Sequence, residues 1–170
     1  MTDSSRVMTP NHNKLVLGTP VATTSGTSFN FASLPSGIRR ISIMFAGVSL
    51  SGTDNLLVQI GPSGGVETTG YISTSQTFAT TPSIGTSTST SGFVIRCSAA
   101  SFVVSGIFIL TLLDSSANTW VASMAYKGNT TQTGTTGGDK SLAGVLTQLT
   151  IKTDGSDTFD AGALNIMYER

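Results

Sequence analysis

One histidine, one cysteine, one tryptophan and five prolines are spread over 170 residues. Charge is equally scarce. Nine Lys and Arg balance nine Asp and Glu, and charged residues make only 11% of the chain. Each shortage excludes something. A single cysteine, Cys97, cannot form an intrachain disulfide, and nothing implies an oxidising compartment. One Cys and one His are too few for a structural zinc site within one chain. A formal net charge of zero gives no general electrostatic hold on nucleic acid, which needs clustered Lys and Arg. The longest apolar stretch, FVVSGIFILTLL (Phe102 to Leu113), is broken by Ser, Gly and Thr and falls short of the ~18 residues of a membrane helix. The opening MTDSSRVMTPNHNK lacks the charged-then-apolar order of a signal peptide. The expected partners include neither nucleic acid nor membrane, and no cofactor is expected.

What is abundant is small and hydroxylated. Serine (24) and threonine (27) make 30% of the chain, and glycine adds 19 residues. Threonine suits strands, while glycine and serine suit turns. Lys, Glu and Gln, which favour helices, are few. The apolar pattern agrees. Ile41, Ile43 and Phe45 alternate with Met44, Ala46, Val48 and Leu50, which predicts a central strand apolar on both faces. Leu56, Val58 and Ile60 repeat with period two, as do Trp120, Ala122, Met124 and Tyr126. VVSGIFILTLLD and NTWVASMAYKG read as a hairpin closed by an Asp114–Ala117 turn, the first strand buried on both faces. Two stretches, TFATTPSIGTSTSTSG and NTTQTGTTGGDK, read as exposed polar loops. Turn signals recur about every ten residues, the spacing of a sandwich or barrel. The expected fold is all-β: an antiparallel, jelly-roll-like β-sandwich of about eight to ten strands. It occupies residues 14–170 as one domain, behind a flexible or partner-ordered tail at residues 1–13. A chain this long buries roughly 70% of its unfolded surface.

Few residues offer chemistry. His12 sits in the tail, a poor scaffold for a nucleophile and its base. Cys97 follows Arg96, a cation that could lower its pKa, but a small buried apolar role fits it better. GPSGG (Gly61 to Gly65) lacks the Lys-Ser/Thr ending of a phosphate loop and reads as a turn. Asn129-Thr130-Thr131 matches a glycosylation acceptor, a pattern common by chance. Arg39 and Arg40 are adjacent, so in a strand they point to opposite faces; a charged sheet margin or a contact with a partner subunit both suit them. Asp154, Asp157 and Asp160 form the densest acid cluster. Their spacing of three is not that of a calcium loop, which alternates by two and ends in Glu. Nor does it set two carboxylates across a cleft. Asp154-Gly155 is a preferred hairpin turn pair, and Asp157 and Asp160 suit Asx turns. A turn is the preferred reading, with calcium as the main alternative.

Three segments carry a resemblance: TPVATTSGTSFNFASLPSGIRRISIMFAGVSLSGTDNLLVQIG, SGIFILTLLDSSANTWVAS and FDAGALNIMYE. Together, across Leu15 to Glu169, they resemble a small β-sandwich module found among virion structural proteins of tailed bacteriophages. The resemblance implies a non-enzymatic component, homotrimeric and displayed on the particle surface, made in the host cytoplasm. The chain lacks a long fibrous shaft, so a capsid decoration or cement protein bound to the major capsid protein is preferred. A receptor-binding tip of a tail or head fibre, contacting host glycans through its two polar loops, is the alternative, and a polysaccharide depolymerase is the third. The expected contact residues are Arg6, Met8, Pro10 and His12 in the tail, and Phe78 and Ile84 in an otherwise Ser/Thr-rich loop.

Overall fold

The computed structural model describes residues 14–80 and 83–170. Among the described residues there are thirteen β-strands and no helix. The larger sheet has nine strands. From one edge it runs β1 (Leu15–Leu17), β13 (Phe159–Glu169), β4 (Arg40–Leu50), β9 (Val104–Asp114), β10 (Thr119–Lys127), β11 (Gln132–Ser141), β6 (Ile72–Ala79) and β7 (Ile84–Ser89). A short β2 (Val21–Ala22) also pairs with β13. The smaller sheet runs β3 (Ser28–Phe31), β12 (Gln148–Thr153), β5 (Leu56–Gly61) and β8 (Phe93–Ile95). Every pairing is antiparallel. The expected all-β sandwich is what forms.

Strict alternation builds the core. Along β10, Trp120, Ala122, Met124 and Tyr126 are buried while Val121, Ser123, Ala125 and Lys127 face out. Ile41, Ile43 and Phe45 of β4 and Phe108 and Leu110 of β9 supply the same sheet's inner face. Leu56, Val58 and Ile60 of β5 and Leu149 and Ile151 of β12 oppose them in one continuous core. Edge-to-face aromatic pairs fix its thickness, among them Tyr71–Phe93 with ring centres 5.0 Å apart. The hairpin turn after Asp114 forms as expected. The Asp114 carboxylate accepts from the Ser116 amide and hydroxyl and from the Ala117 amide, and these bonds hold its pKa below the usual carboxylate range.

Two expectations need correction. β9 is buried on one face only: Ile107 is 51% and Leu113 70% exposed. The two stretches expected as polar loops are mostly strand. Residues 77–92 include the end of β6 and all of β7, and β11 covers most of NTTQTGTTGGDK. With three strands of only two or three residues, these account for a count above ten. The glycines of β11 have a packing role. At Gly134 a Cβ would run into the Tyr126 ring, so the bare backbone there makes room for a core aromatic.

The hydroxyls of these strands also have a role. β8 is the edge of the smaller sheet, and an edge strand presents unpaired backbone groups. Here β6, β10 and β11 supply side chains to meet them. Ser73 Oγ accepts from the Val94 amide at 3.0 Å, and Ser75 Oγ from the Arg96 amide at 3.1 Å. Thr136 Oγ1 donates to the Val94 carbonyl at 3.0 Å, and the Tyr126 hydroxyl to the Arg96 carbonyl at 3.1 Å. Ser73, Ser75 and Thr136 are all buried. The two sheets are joined along this side by side-chain hydroxyls where backbone pairing stops.

Candidate functional site

The strand directions sort the loops to two ends. β10 runs from Trp120 at one end to Lys127 at the other, and its partners follow in register. The Lys127 end carries the tip of the β6–β7 hairpin and the tip of the β10–β11 hairpin. They are neighbours because β11 pairs with β6, and the Thr80 amide donates to the Thr131 carbonyl at 3.1 Å. Phe78 and Ile84 are Cα partners across the first hairpin. The sequence singled out both, and the structure brings them together on the outward face, 38% and 68% exposed.

Beside them lies an open depression lined by Phe78, Thr80, Asn129, Thr131, Gln132 and Thr133. Asn129 organises its floor. Its Oδ1 accepts from the Thr131 amide at 2.8 Å and from the Thr131 hydroxyl at 3.1 Å, and its Nδ2 donates to Gln132 Oε1 at 3.3 Å. The residues lining the depression are all uncharged. An aromatic ring beside hydroxyls and amides can hold a neutral polar ligand by stacking and hydrogen bonding. Sequence reasoning saw Asn129-Thr130-Thr131 only as a glycosylation pattern; the signal it missed is the Asx turn that Asn-x-Thr also encodes.

The same end holds the acid cluster, and there the aspartates do not converge. Asp154 accepts from the Asn55 amide and side-chain amide, each at 2.8 Å. Asp157 and Asp54 exchange bonds: Asp157 Oδ2 accepts from the Asp54 amide at 2.8 Å, and Asp54 Oδ2 from the Asp157 amide at 2.7 Å. Asp160 accepts from the Ser49 hydroxyl. The cluster thus ties the β12–β13 turn to the β4–β5 turn. Gly52 is required there, since a Cβ would meet the Asp157 carboxylate. Among the described residues no three His, Cys, Asp or Glu side chains gather so as to hold a metal ion. Asp54 and Asn55 were not singled out, although SGTDN is itself a turn sequence.

The remaining reactive groups are enclosed. Burial pushes the Cys97 thiol up to about 12, and its amide donates to Asn55 Oδ1 at 3.1 Å. Burial likewise pushes Tyr126 up to about 12, against its hydrogen bond with Ser75. Glu67 and Lys140 form an ion pair at 2.5 Å near the opposite end. Burial works to raise the Glu67 pKa, but the Lys140 hydrogen bond, the Ala143 amide and the Lys140 charge together hold it low. At that end a cavity of about 160 Å³ is lined by Ile38, Leu112, Asn118, Trp120, Val145 and Leu146. The Trp120 indole N–H is buried without an acceptor among the described residues.

Of the other expected contact residues, Arg39 and Arg40 are exposed at the start of β4, with Arg40 paired to Glu169 in register. Arg6, Met8, Pro10 and His12 lie outside the described residues. No helix among the described residues is long and apolar enough to cross a membrane. Comparison with protein-family models, with curated proteins and with solved structures finds no match.

Proposed function

We propose that this chain is a non-enzymatic structural protein of a tailed-bacteriophage virion, a homotrimeric capsid decoration protein that braces the head shell against the major capsid protein. The observation that carries the reading is where the acidic groups go. Asp54, Asp154 and Asp157 accept hydrogen bonds that tie one turn to another, and Asp160 accepts from Ser49 on the paired strand β4. What the surface offers instead is neutral contact: exposed apolar side chains on the large sheet and hydroxyls around them. The resemblance of the sequence to phage virion modules supports the same reading. The mechanism is mechanical, since apolar and hydrogen-bonded contacts between capsomers resist the pressure of packaged DNA. Quantitative mass spectrometry of purified particles tests it. The reading expects hundreds of copies per particle, and particles lacking the protein that lose DNA on heating. A count of only a few trimers would sink it.

One observation favours a second reading, a receptor-binding tip. The two Thr-rich hairpins meet at one end around Phe78 and Asn129, a surface suited to host glycans. Saturating purified protein should then block adsorption of phage to host cells, and unchanged adsorption would count against it.

A further inference from the structure

We infer that the cavity beside Trp120 is a binding site for a compact, neutral, mainly apolar molecule that carries a hydrogen-bond acceptor. The assignment stands apart from the virion reading and does not depend on it. Three segments wall the cavity at the Trp120 end of β10. They are the turn before β4, the turn between β9 and β10, and the loop between β11 and β12. Backbone bonds tie each of them to a neighbour. The Leu112 amide donates to the Arg39 carbonyl at 2.8 Å, the Leu142 amide to the Asn118 carbonyl at 3.1 Å, and the Leu34 amide to the Thr147 carbonyl at 2.9 Å. Walls held in this way make the space preformed, so a ligand does not have to order them on binding.

The lining selects the occupant. Ile38, Leu112, Val145 and Leu146 line the space with Trp120, and none of the lining residues is charged. That favours a neutral, apolar body over an ion. A space of about 160 Å³ is smaller than the pockets of drug-sized ligands. It suits a molecule of benzene size, for which about 150 Å³ is enough. Val145 lines the cavity and is 53% exposed, so the mouth lies there and entry needs no unfolding. Trp120 adds the specific requirement. It is 2% exposed, and its indole N–H, closed off from water, has no acceptor among the described residues. A buried donor left unpaired is costly. The indole N–H can only donate, so the missing group is an acceptor such as a carbonyl or hydroxyl oxygen. A ligand oxygen meets it when the ring turns toward the cavity that it already lines.

Nuclear magnetic resonance on the full, nitrogen-15-labelled chain tests this with cyclohexanone as the probe. Trp120 is the single tryptophan, so one indole N–H signal reports the site. Titration should move its proton downfield and saturate at roughly millimolar probe, as suits a ligand of about seven heavy atoms. Val145→Phe at the mouth and Leu146→Phe on the wall should each weaken binding by about tenfold or more, with far-ultraviolet circular dichroism unchanged. Thr135→Phe, exposed on β11, should bind as the wild type does. An indole proton that stays in place, or drifts without saturating, overturns the proposal. So does saturable binding that shifts only the Ile38 and Leu146 methyl signals, because the acceptor would then go unused. Wild-type affinity in both cavity variants, or equal weakening in Thr135→Phe, places the probe elsewhere and overturns it as well.

Discussion

Replacing Ser73 and Ser75 by alanine removes two oxygens from a chain of 170 residues, yet it should be among the costliest pairs of small changes available. Both side chains are buried, and each accepts the amide of a β8-side residue, Val94 or Arg96. A hydroxyl has one proton and two lone pairs. Ser75 donates its proton to the Thr135 carbonyl at 3.0 Å, so its lone pairs serve the Arg96 amide and one neighbouring hydroxyl. Thr136 and Tyr126 keep carbonyl acceptors at Val94 and Arg96 when Ser75 is lost. The unrelieved loss is therefore two buried amides left without acceptors. Each costs about 1–3 kcal/mol, so the double variant loses roughly 2–6 kcal/mol, against a total stability of about 5–15 kcal/mol for a typical domain. At about 2–4 °C per kcal/mol for a chain of this size, Tm falls by roughly 5–20 °C. Urea unfolding followed by fluorescence reports it cleanly, because Trp120 is the single tryptophan and is buried. Thr74→Ala, between the two serines but facing out, is the control and should stay within about 0.5 kcal/mol of wild type. A double variant as stable as that control would refute the idea that hydroxyls seal the edge of β8.

Other consequences are as direct. Gly52→Ala should destabilise by about 1–3 kcal/mol through overpacking against the Asp157 carboxylate, read from the denaturant midpoint; a neutral result would mean the turn-to-turn tie is dispensable. Cys97, with its thiol pushed up to about 12 by burial, should resist an aromatic disulfide reagent at pH 8 in the native state and react fully in urea, and rapid native labelling would contradict its enclosure. The Glu67 carboxyl is held below its ordinary value in the folded state, so its contribution is present above the unfolded pKa of about 4.3 and is lost as pH falls through the folded one. Glu67→Gln should therefore lower the urea midpoint at pH 7 and leave it unchanged at strongly acid pH; an equal gap at both would point to packing in place of charge.

The parts of this fold legible in the sequence are those where burial is apolar. The Trp120–Tyr126 alternation and the Asp114 turn predict β10 and its hairpin with β9, and Asp154-Gly155 marks the last turn. Where burial is hydroxylated, hydropathy is silent. Ser73, Ser75, Thr77 and Thr136 face the interior, but a run of Ser and Thr looks the same whether each oxygen meets water or a buried amide. β9 fails in the opposite sense, since an apolar side chain gives no sign of whether a second layer covers it. The acid cluster lies at a turn, as read, but not at a hairpin turn: β12 and β13 belong to different sheets, so the chain crosses from one to the other there. Its partners Asp54 and Asn55 lie about a hundred positions away and became visible only with the β4–β5 and β12–β13 turns side by side.

Salt has little to act on in such a molecule. Mobile ions weaken interactions between exposed charges over a Debye length of about 10 Å at 0.1 M. Here charged residues are 11% of the chain and sum to zero, and among the described residues one ion pair forms, with Lys140 only 7% exposed. Hydroxyl-to-amide bonds and apolar packing join the two sheets, and neither is screened. Folding stability should thus stay nearly level from dilute buffer to brine, so that the domain could pass between environments of very different ionic strength without loosening.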